Sequence, residues 1–235
     1  MANTITFVSL GPGEPDLITL KGLKKLQEAD IIFCPFTLLK SGKQSSRAQD
    51  MLLALGIQIS KIRLFDVPMS KNRKKALHSY QQVAMQIEAA YLSNQNVAVT
   101  AEGDTSFYSS GHYIIDLLAK KGLAVDKVPG VPAFISAGAL AHLHIVQQEE
   151  QLHVVPGVIT ATELGCKLEA AHTVLIMKAS QCQDIIKQLI QQFPTHTFHY
   201  FENIGLETEY YTTIQEEILN RQFPYFSLLI IKPLI

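Results

Sequence analysis

The sequence predicts an α/β protein of two domains, the first built on a mainly parallel sheet and the second on a mixed one. Three observations predict it. In the first half, short runs of β-branched and aromatic residues alternate with longer segments of helical periodicity, the pattern of strand–helix–strand units. In the second half, several strand-like runs, the terminal YFSLLIIK among them, fit a sheet of mixed direction. Between the halves a glycine-bearing turn near residues 119–125 marks a boundary, so the domains are expected at 1–121 and 122–235. With 235 residues, 47% hydrophobic and 17% charged, the chain is long and apolar enough for two small cores.

Each element has its own warrant. TITFVSL is a β-branched and aromatic run that stops at Gly11 and reads as a buried strand. DLITLKGLKKLQEAD places Leu17, Leu20, Leu23 and Leu26 at helical spacing, with lysines on the other face. IIFCPF is the next strand. Residues 40–50, KSGKQSSRAQD, are polar and Gly/Ser-bearing, a loop that runs into the helix RAQDMLLAL. After the short apolar run KIRLFDV, residues 73–93 form a long helix, and Lys71, Arg73, Lys74 and Lys75 read as a solvated helix start, with a local basic patch as the alternative. NVAVTA is another strand. EGDTSFYSSG then leads into a helix with Ile114, Ile115, Leu117 and Leu118 on its apolar face, and Gly122 is placed to end it. The second half opens with AVDKVPGVPAF and the small-residue helix AFISAGALAHL. HVVPG and TVLIMK read as strands, SQCQDIIKQLIQQF as an amphipathic helix, THTFHYFENIG as strand and loop, and TTIQEEILNRQ as a short helix.

Composition narrows the function classes. Twenty basic against 21 acidic residues give a net charge of −1, whereas a chain that lives on phosphate contacts carries a basic excess. Nucleic acid is therefore not expected as a partner. Cys34, Cys166 and Cys182 are widely spaced and odd in number, without CxxC or Cys/His metal spacing, as in a reduced cytoplasmic protein. His142 and His144 stand two residues apart, and His196 and His199 lie among strand aromatics, so no metal site is expected. Residues 5–10 break at Gly11 rather than extending into a leader. No apolar run approaches the roughly 20 residues of a membrane span, and no membrane association is expected.

GPGEPDLITLKG, following the first strand, looks at first like a phosphate cradle. It lacks the GK[ST] tail of a P-loop, and Pro15 and Asp16 stand where G-x-G-x-x-G would have its third glycine. Glu14 and Asp16 also occupy the end of the helix dipole that a pyrophosphate would use. The spacing describes a rigid strand-to-helix elbow that lets a ligand approach the backbone, or a tight turn with an N-capping acid.

The order GPGEPDLITLKG, VAVTAEGDTSFYSSG, VPGVPAFISAGALA, TVLIMK and FENIGLETE resembles the tetrapyrrole methylase family over nearly the whole chain. AEGDTSFYSSG is similar to the E-G-D-P-x-F-Y-S form of the branch that methylates C20 of precorrin-2 or cobalt-factor II. IIFCPFTLLKSGKQSSRAQDML and the P-Y-F-S-L stretch near the end resemble the same branch. Thr105 stands where that branch has proline, and Pro132 where it has threonine or serine.

The resemblance implies two α/β domains of the tetrapyrrole methylase type, S-adenosyl-L-methionine as cofactor, S-adenosyl-L-homocysteine as product, a tetrapyrrole as acceptor and a homodimer. It carries cofactor contact to Pro12, Glu102, Gly103, Asp104, Thr105, Pro132, Ala133, Met177, Asn203, Ile204 and Gly205. Asp104 and Tyr108 are its candidates for moving a proton. Lys40, Lys43, Ser45, Ser46, Arg47 and His112 suit the carboxylates of the substrate, with Lys43, Ser45, Arg47 and His112 foremost. Methylation of uroporphyrinogen III or of precorrin-4 is the alternative within the family. A non-catalytic nucleotide-binding module is the alternative outside it, disfavoured because IIFCPF ends without the acidic residue that holds a ribose.

Overall fold

A computed structural model describes residues 3–38, 44–67, 73–170 and 172–233. Its contacts divide the chain into two units, Met1–Pro132 and Ala133–Ile235. The division falls later than the 121/122 boundary expected from the glycine-bearing turn, because Asp126–Val128 pairs in parallel with the first strand and so belongs to the first sheet.

The first unit runs β1 (Ile5–Ser9), α1 (Leu20–Glu28), β2 (Ile31–Leu38), β3 (Gln44–Ser45), α2 (Arg47–Ala54), β4 (Ile62–Asp66), α3 (Arg73–Leu92), β5 (Val97–Ala101), α4 (Gly111–Ala119) and β6 (Asp126–Val128). Its parallel strands lie in the order β4-β2-β5-β1-β6, and the short β3 adds antiparallel at the end of β2. Alternation along the strands feeds two cores. Val8, Leu10, Ile32, Cys34 and Ala98 pack with Leu26 of α1 and Ala48, Met51 and Leu52 of α2. Ile5, Phe7, Phe33, Val97 and Val99 pack with Tyr80, Val83 and Ile87 of α3 and Ile114 and Leu118 of α4. The helix after β1 thus covers one face and the helix after β5 the other. The neighbouring strands β1 and β5 are a topological switch point, where the helices that follow them go to opposite faces of the sheet.

The first helix starts later than its leucine spacing predicts. Pro15–Leu17 forms a separate 3-10 turn, and Thr19 caps α1 by accepting the Gly22 N–H at 3.1 Å. The 3-10 turn ends at Leu17 with Ile18 and Thr19 extended, so the helix begins only after Thr19, and Leu20, expected on the apolar face, is 78% exposed. Gly122 does end α4, with a φ of +75°.

The second unit contains α5 (Ala133–Leu140), β7 (Leu152–Val155), α6 (Ala161–Glu169), β8 (Thr173–Met177), α7 (Gln183–Gln192), β9 (Thr197–Glu202), β10 (Tyr210–Thr212), α8 (Gln215–Asn220) and β11 (Ser227–Lys232). The sheet order is β10-β9-β11-β8-β7, with β7 and β8 parallel and the other neighbours antiparallel, the mixed sheet that was expected. Helix α6 was not anticipated between HVVPG and TVLIMK. Its start is a capping box, Thr160 and Glu163 each satisfying the other's backbone N–H. No helix among the described residues is long and apolar enough to cross a membrane.

Candidate active site

In the first unit the carboxyl ends of β1, β5 and β6 are knotted together. Beyond β1 and β5 the ladder continues through Leu10 N–H to Ala101 O at 2.9 Å. Gly11 and Gly103 then exchange a reciprocal pair, 3.2 Å in one direction and 2.7 Å in the other. Both glycines have left-handed φ, +85° and +67°, which glycine adopts without strain. This places Pro12 and Gly103, both expected at the cofactor, on adjacent turns.

Ser9, the last residue of β1 and fully buried, ties these loops to β6. Its hydroxyl donates to Val128 O at 2.7 Å and accepts the Thr105 N–H at 2.9 Å. Thr105 is itself 1% exposed, so its side chain belongs to the knot rather than to the open side of the loop. Asp104 accepts N–H bonds from Ser106 at 2.7 Å and from Gly130 at 2.8 Å. Its carboxylate therefore fixes the second loop to the third. Gly130 has no room for a side chain: a Cβ there would stand 2.5 Å from Ser9 Cβ and 2.8 Å from Gly103 O. Sequence reading passed over Ser9 and Gly130. The signal available was the small residue at the end of a buried strand and the glycine of VPGVPAF.

The remaining residues expected in this unit are arranged differently from one another. Tyr108 is 49% exposed with a φ of +51°, an uncommon conformation for an aromatic residue. Its ring meets Phe107 edge-on at 4.9 Å. His112 and Ser45 are exposed, on the first turn of α4 and on β3. Lys40 and Lys43 lie outside the described residues. Arg47 opens α2, and its Nε lies 3.7 Å from Glu102 Oε2, just beyond β5. Burial pushes the Glu102 carboxyl above its ordinary range against the pull of Arg47, and burial lowers the Arg47 guanidinium. Ser46 caps α2 by accepting the Gln49 N–H and donates to Pro35 O at 2.6 Å, pinning the helix start to β2.

In the second unit, Ala133, Met177 and Ile204 share one apolar cluster with Ala137, Leu175 and Phe201 on the α5 side of the sheet. Asn203 and Gly205 turn the chain after β9 with φ of +49° and +79°. That turn is held by Asn203 N–H to Phe226 O and by Gly205 N–H to the Glu209 carboxylate at 2.8 Å. Gly157, also unforeseen, lets the loop after β7 close on the end of β8, since a Cβ there would meet Lys178 O at 2.6 Å and Met177 O at 2.7 Å. Among the described residues no group of His, Cys, Asp and Glu is arranged to hold a metal ion.

A sequence model of the tetrapyrrole (corrin/porphyrin) methylases matches residues 4–218. The chain belongs to the tetrapyrrole methylase family. Among curated relatives, this methylase is 27% identical over 229 residues to a precorrin-2 C(20)-methyltransferase from a Sinorhizobium species, covering 95% of this chain and 93% of that one. It is 25% identical over 185 residues to a cobalt-precorrin-2 C(20)-methyltransferase of Salmonella typhimurium, covering 79% and 76%. Its fold matches a cobalt precorrin-4 methyltransferase structure with a TM-score of 0.72 at 16% identity over 97% and 94% of the two chains. It also matches a Thermus thermophilus uroporphyrin-III C-methyltransferase complexed with S-adenosyl homocysteine, with a TM-score of 0.69 at 17% identity, over 98% and 92%.

Proposed function

We propose that this methylase transfers a methyl group from S-adenosylmethionine to C20 of precorrin-2 or cobalt-factor II in cobalamin synthesis. The observation that carries the reading is the near end-to-end similarity to the Sinorhizobium C(20)-methyltransferase.

The residues suit the cofactor. Residues 9–19 and 102–111 contain no lysine or arginine, so these loops offer no cationic phosphate cradle. Space is open over Gly103, where a Cβ would meet nothing within 4 Å. The apolar cluster containing Ala133, Met177 and Ile204 is of the kind that takes an adenine ring. Pro12, Gly103, Asp104 and Pro132, Glu102 and Thr105 through their main chains, and Ala133, Met177, Asn203, Ile204 and Gly205 are assigned to cofactor binding.

When bound, S-adenosylmethionine supplies an electrophilic methyl on a sulfonium centre with a neutral thioether as leaving group. The electron-rich macrocycle carbon is its own nucleophile, so the chain contributes orientation and exclusion of water. Asp104 acts by holding the second and third loops in register through Ser106 and Gly130. Tyr108, exposed beside that loop, is assigned to proton movement at the methylated carbon or a ring nitrogen. Arg47, Ser45, Lys43 and His112 are assigned to the carboxylates of the tetrapyrrole. The reading includes a cytoplasmic homodimer, checked by sedimentation velocity.

The test is incubation with S-adenosylmethionine and each of the two acceptors, followed by location of the new methyl by NMR. A methyl at C20 is expected. Transfer only to another tetrapyrrole overturns the C20 assignment, and calorimetry showing binding of NAD but not of S-adenosylhomocysteine overturns the methylase reading altogether.

A further inference from the structure

Ser9 puts a hydroxyl into a strand that is otherwise apolar around it. It is fully buried, and so are its sequence neighbours Val8 and Leu10. Burying a hydroxyl is costly unless it is hydrogen-bonded, and this one is bonded on two sides. Its single proton goes to Val128 O at 2.7 Å, and it accepts the Thr105 N–H at 2.9 Å. The Thr105 hydroxyl stands 3.3 Å away.

The partner residue explains the arrangement. Thr105 is the second residue of a turn that Phe107 N–H closes on Asp104 O at 3.2 Å, and the first residue, Asp104, accepts the Ser106 N–H through its side chain. The second position of such a turn favours proline, whose ring presets the backbone. Threonine does not preset φ, and at 1% exposure it brings an N–H that must be satisfied away from water. Ser9 satisfies it. The same contact excludes proline, because a ring Cδ would replace the amide hydrogen and point at Ser9 Oγ, only 2.9 Å from the nitrogen. Ser9 and Thr105 are thus a matched pair that fixes the turn without proline. The loop is fastened at Thr105 and open at Gly103, where a Cβ would meet nothing within 4 Å.

We propose that Ser9 is a positioning residue for S-adenosylmethionine, which by holding the Thr105 N–H fixes the turn after Gly103 and so sets the affinity for a ligand that this buried hydroxyl does not touch. This rests on the assignment of Gly103 and Asp104 to cofactor binding above. A bond that served stability alone would lower Tm on removal and leave the affinity of the folded protein as it was.

The experiment compares Ser9→Gly, Thr105→Pro and the double variant S9G/T105P with the wild type, each checked for folding by circular dichroism at the assay temperature. The Kd of S-adenosylhomocysteine is measured by calorimetry, and exchange of the Thr105 amide by NMR on the ligand-free protein. Ser9→Gly orphans a buried N–H and is expected to raise Kd about tenfold and to speed Thr105 exchange at least about tenfold. Thr105→Pro raises Kd at least as far, because the ring meets Ser9. The double variant has room for the ring and no N–H left to satisfy, so its Kd is expected to return to within about threefold of wild type. An unchanged Kd or an unchanged Thr105 exchange rate in Ser9→Gly overturns the proposal, and so does a double variant whose loss is the sum of the two single losses. Failure of Thr105→Pro alone to fold leaves Ser9→Gly and the double variant to decide. Wild-type protein that does not bind S-adenosylhomocysteine overturns the functional reading, and this proposal with it, before any variant is compared.

Discussion

Removal of Arg221 tests how much of the second unit hangs on one buried charge. Glu202 ends β9 at 7% exposure. Its carboxylate accepts Arg221 Nε at 2.6 Å, Arg221 Nη2 at 3.2 Å and the Tyr200 hydroxyl at 2.6 Å. The guanidinium carbon also lies 3.6 Å from the centre of the Tyr210 ring, and the Tyr210 hydroxyl donates to Glu217. Arg221→Ala leaves the carboxylate with the tyrosine alone. Breaking a fully buried pair costs about 3–5 kcal/mol. The Arg221 side chain is 35% exposed, so water enters on that side and about 2–3 kcal/mol is appropriate, with roughly 0.5–1 kcal/mol more for the lost cation–π contact. The sum, about 3 kcal/mol, corresponds to a fall in Tm of about 6–12 °C for a chain of this size. Urea and thermal unfolding followed by circular dichroism provide the measurement. Replacing both charges, Glu202→Gln with Arg221→Met, is expected to recover most of the loss, because no uncompensated charge remains. A cost below about 1 kcal/mol for Arg221→Ala, or the same cost when Glu202 is already glutamine, refutes the argument.

Other expectations follow from the same geometry. Gly130→Ala forces backbone apart at Ser9 and Gly103 and is expected to weaken S-adenosylhomocysteine at least tenfold by calorimetry, while the isolated change Gly122→Ala, in open space, leaves the affinity intact. Burial depresses His199 to about 4, with the Nδ1 edge against the Tyr211 hydroxyl at 2.9 Å. The unfolded chain then binds the proton first, so stability is full above about pH 6.5 and falls as pH drops toward 4, by at most about 3 kcal/mol from this group. His199→Gln is expected to lose less between pH 7 and pH 4.5 than the wild type does, as read by urea unfolding. Burial raises the Cys34 thiol to about 11, whereas Cys166 is exposed. Iodoacetamide at pH 8 should therefore label Cys166 and spare Cys34, as read by peptide mass spectrometry.

Legibility of the sequence followed the strength of local signals. The buried strands were plain because β-branched runs such as TITFVSL and NVAVTA have few other uses, and the mixed second sheet followed from their order. The start of α1 was misplaced because leucine spacing extended upstream through Leu17, and periodicity does not register that the chain breaks into a 3-10 turn at Pro15–Leu17 before Thr19 caps the helix. Helix α6 was passed over although Thr160 and Glu163 spell a capping box; its alternating polar and apolar residues are weak beside the flanking strands. Strand β6 escaped because three residues carry no pattern, and with it went the domain boundary. At the site, the loops were found as motifs, but the roles of Ser9, Gly130 and Gly157 depend on partners far away in sequence. Steric exclusion at 2.5–2.8 Å has no signature in composition, and neither does the meeting of Arg47 with Glu102.

The reciprocal bridge between Gly11 and Gly103 has a kinetic consequence. Each amide hydrogen is held by the carbonyl of the other residue, so neither exchanges with solvent until both turns separate. The two amides should therefore show one shared opening free energy in native-state hydrogen exchange, higher than that of the exposed loop residue Ser106. The elbow after the first strand, which a linear reading treats as a local turn, is half of a single latch whose other half lies beyond β5.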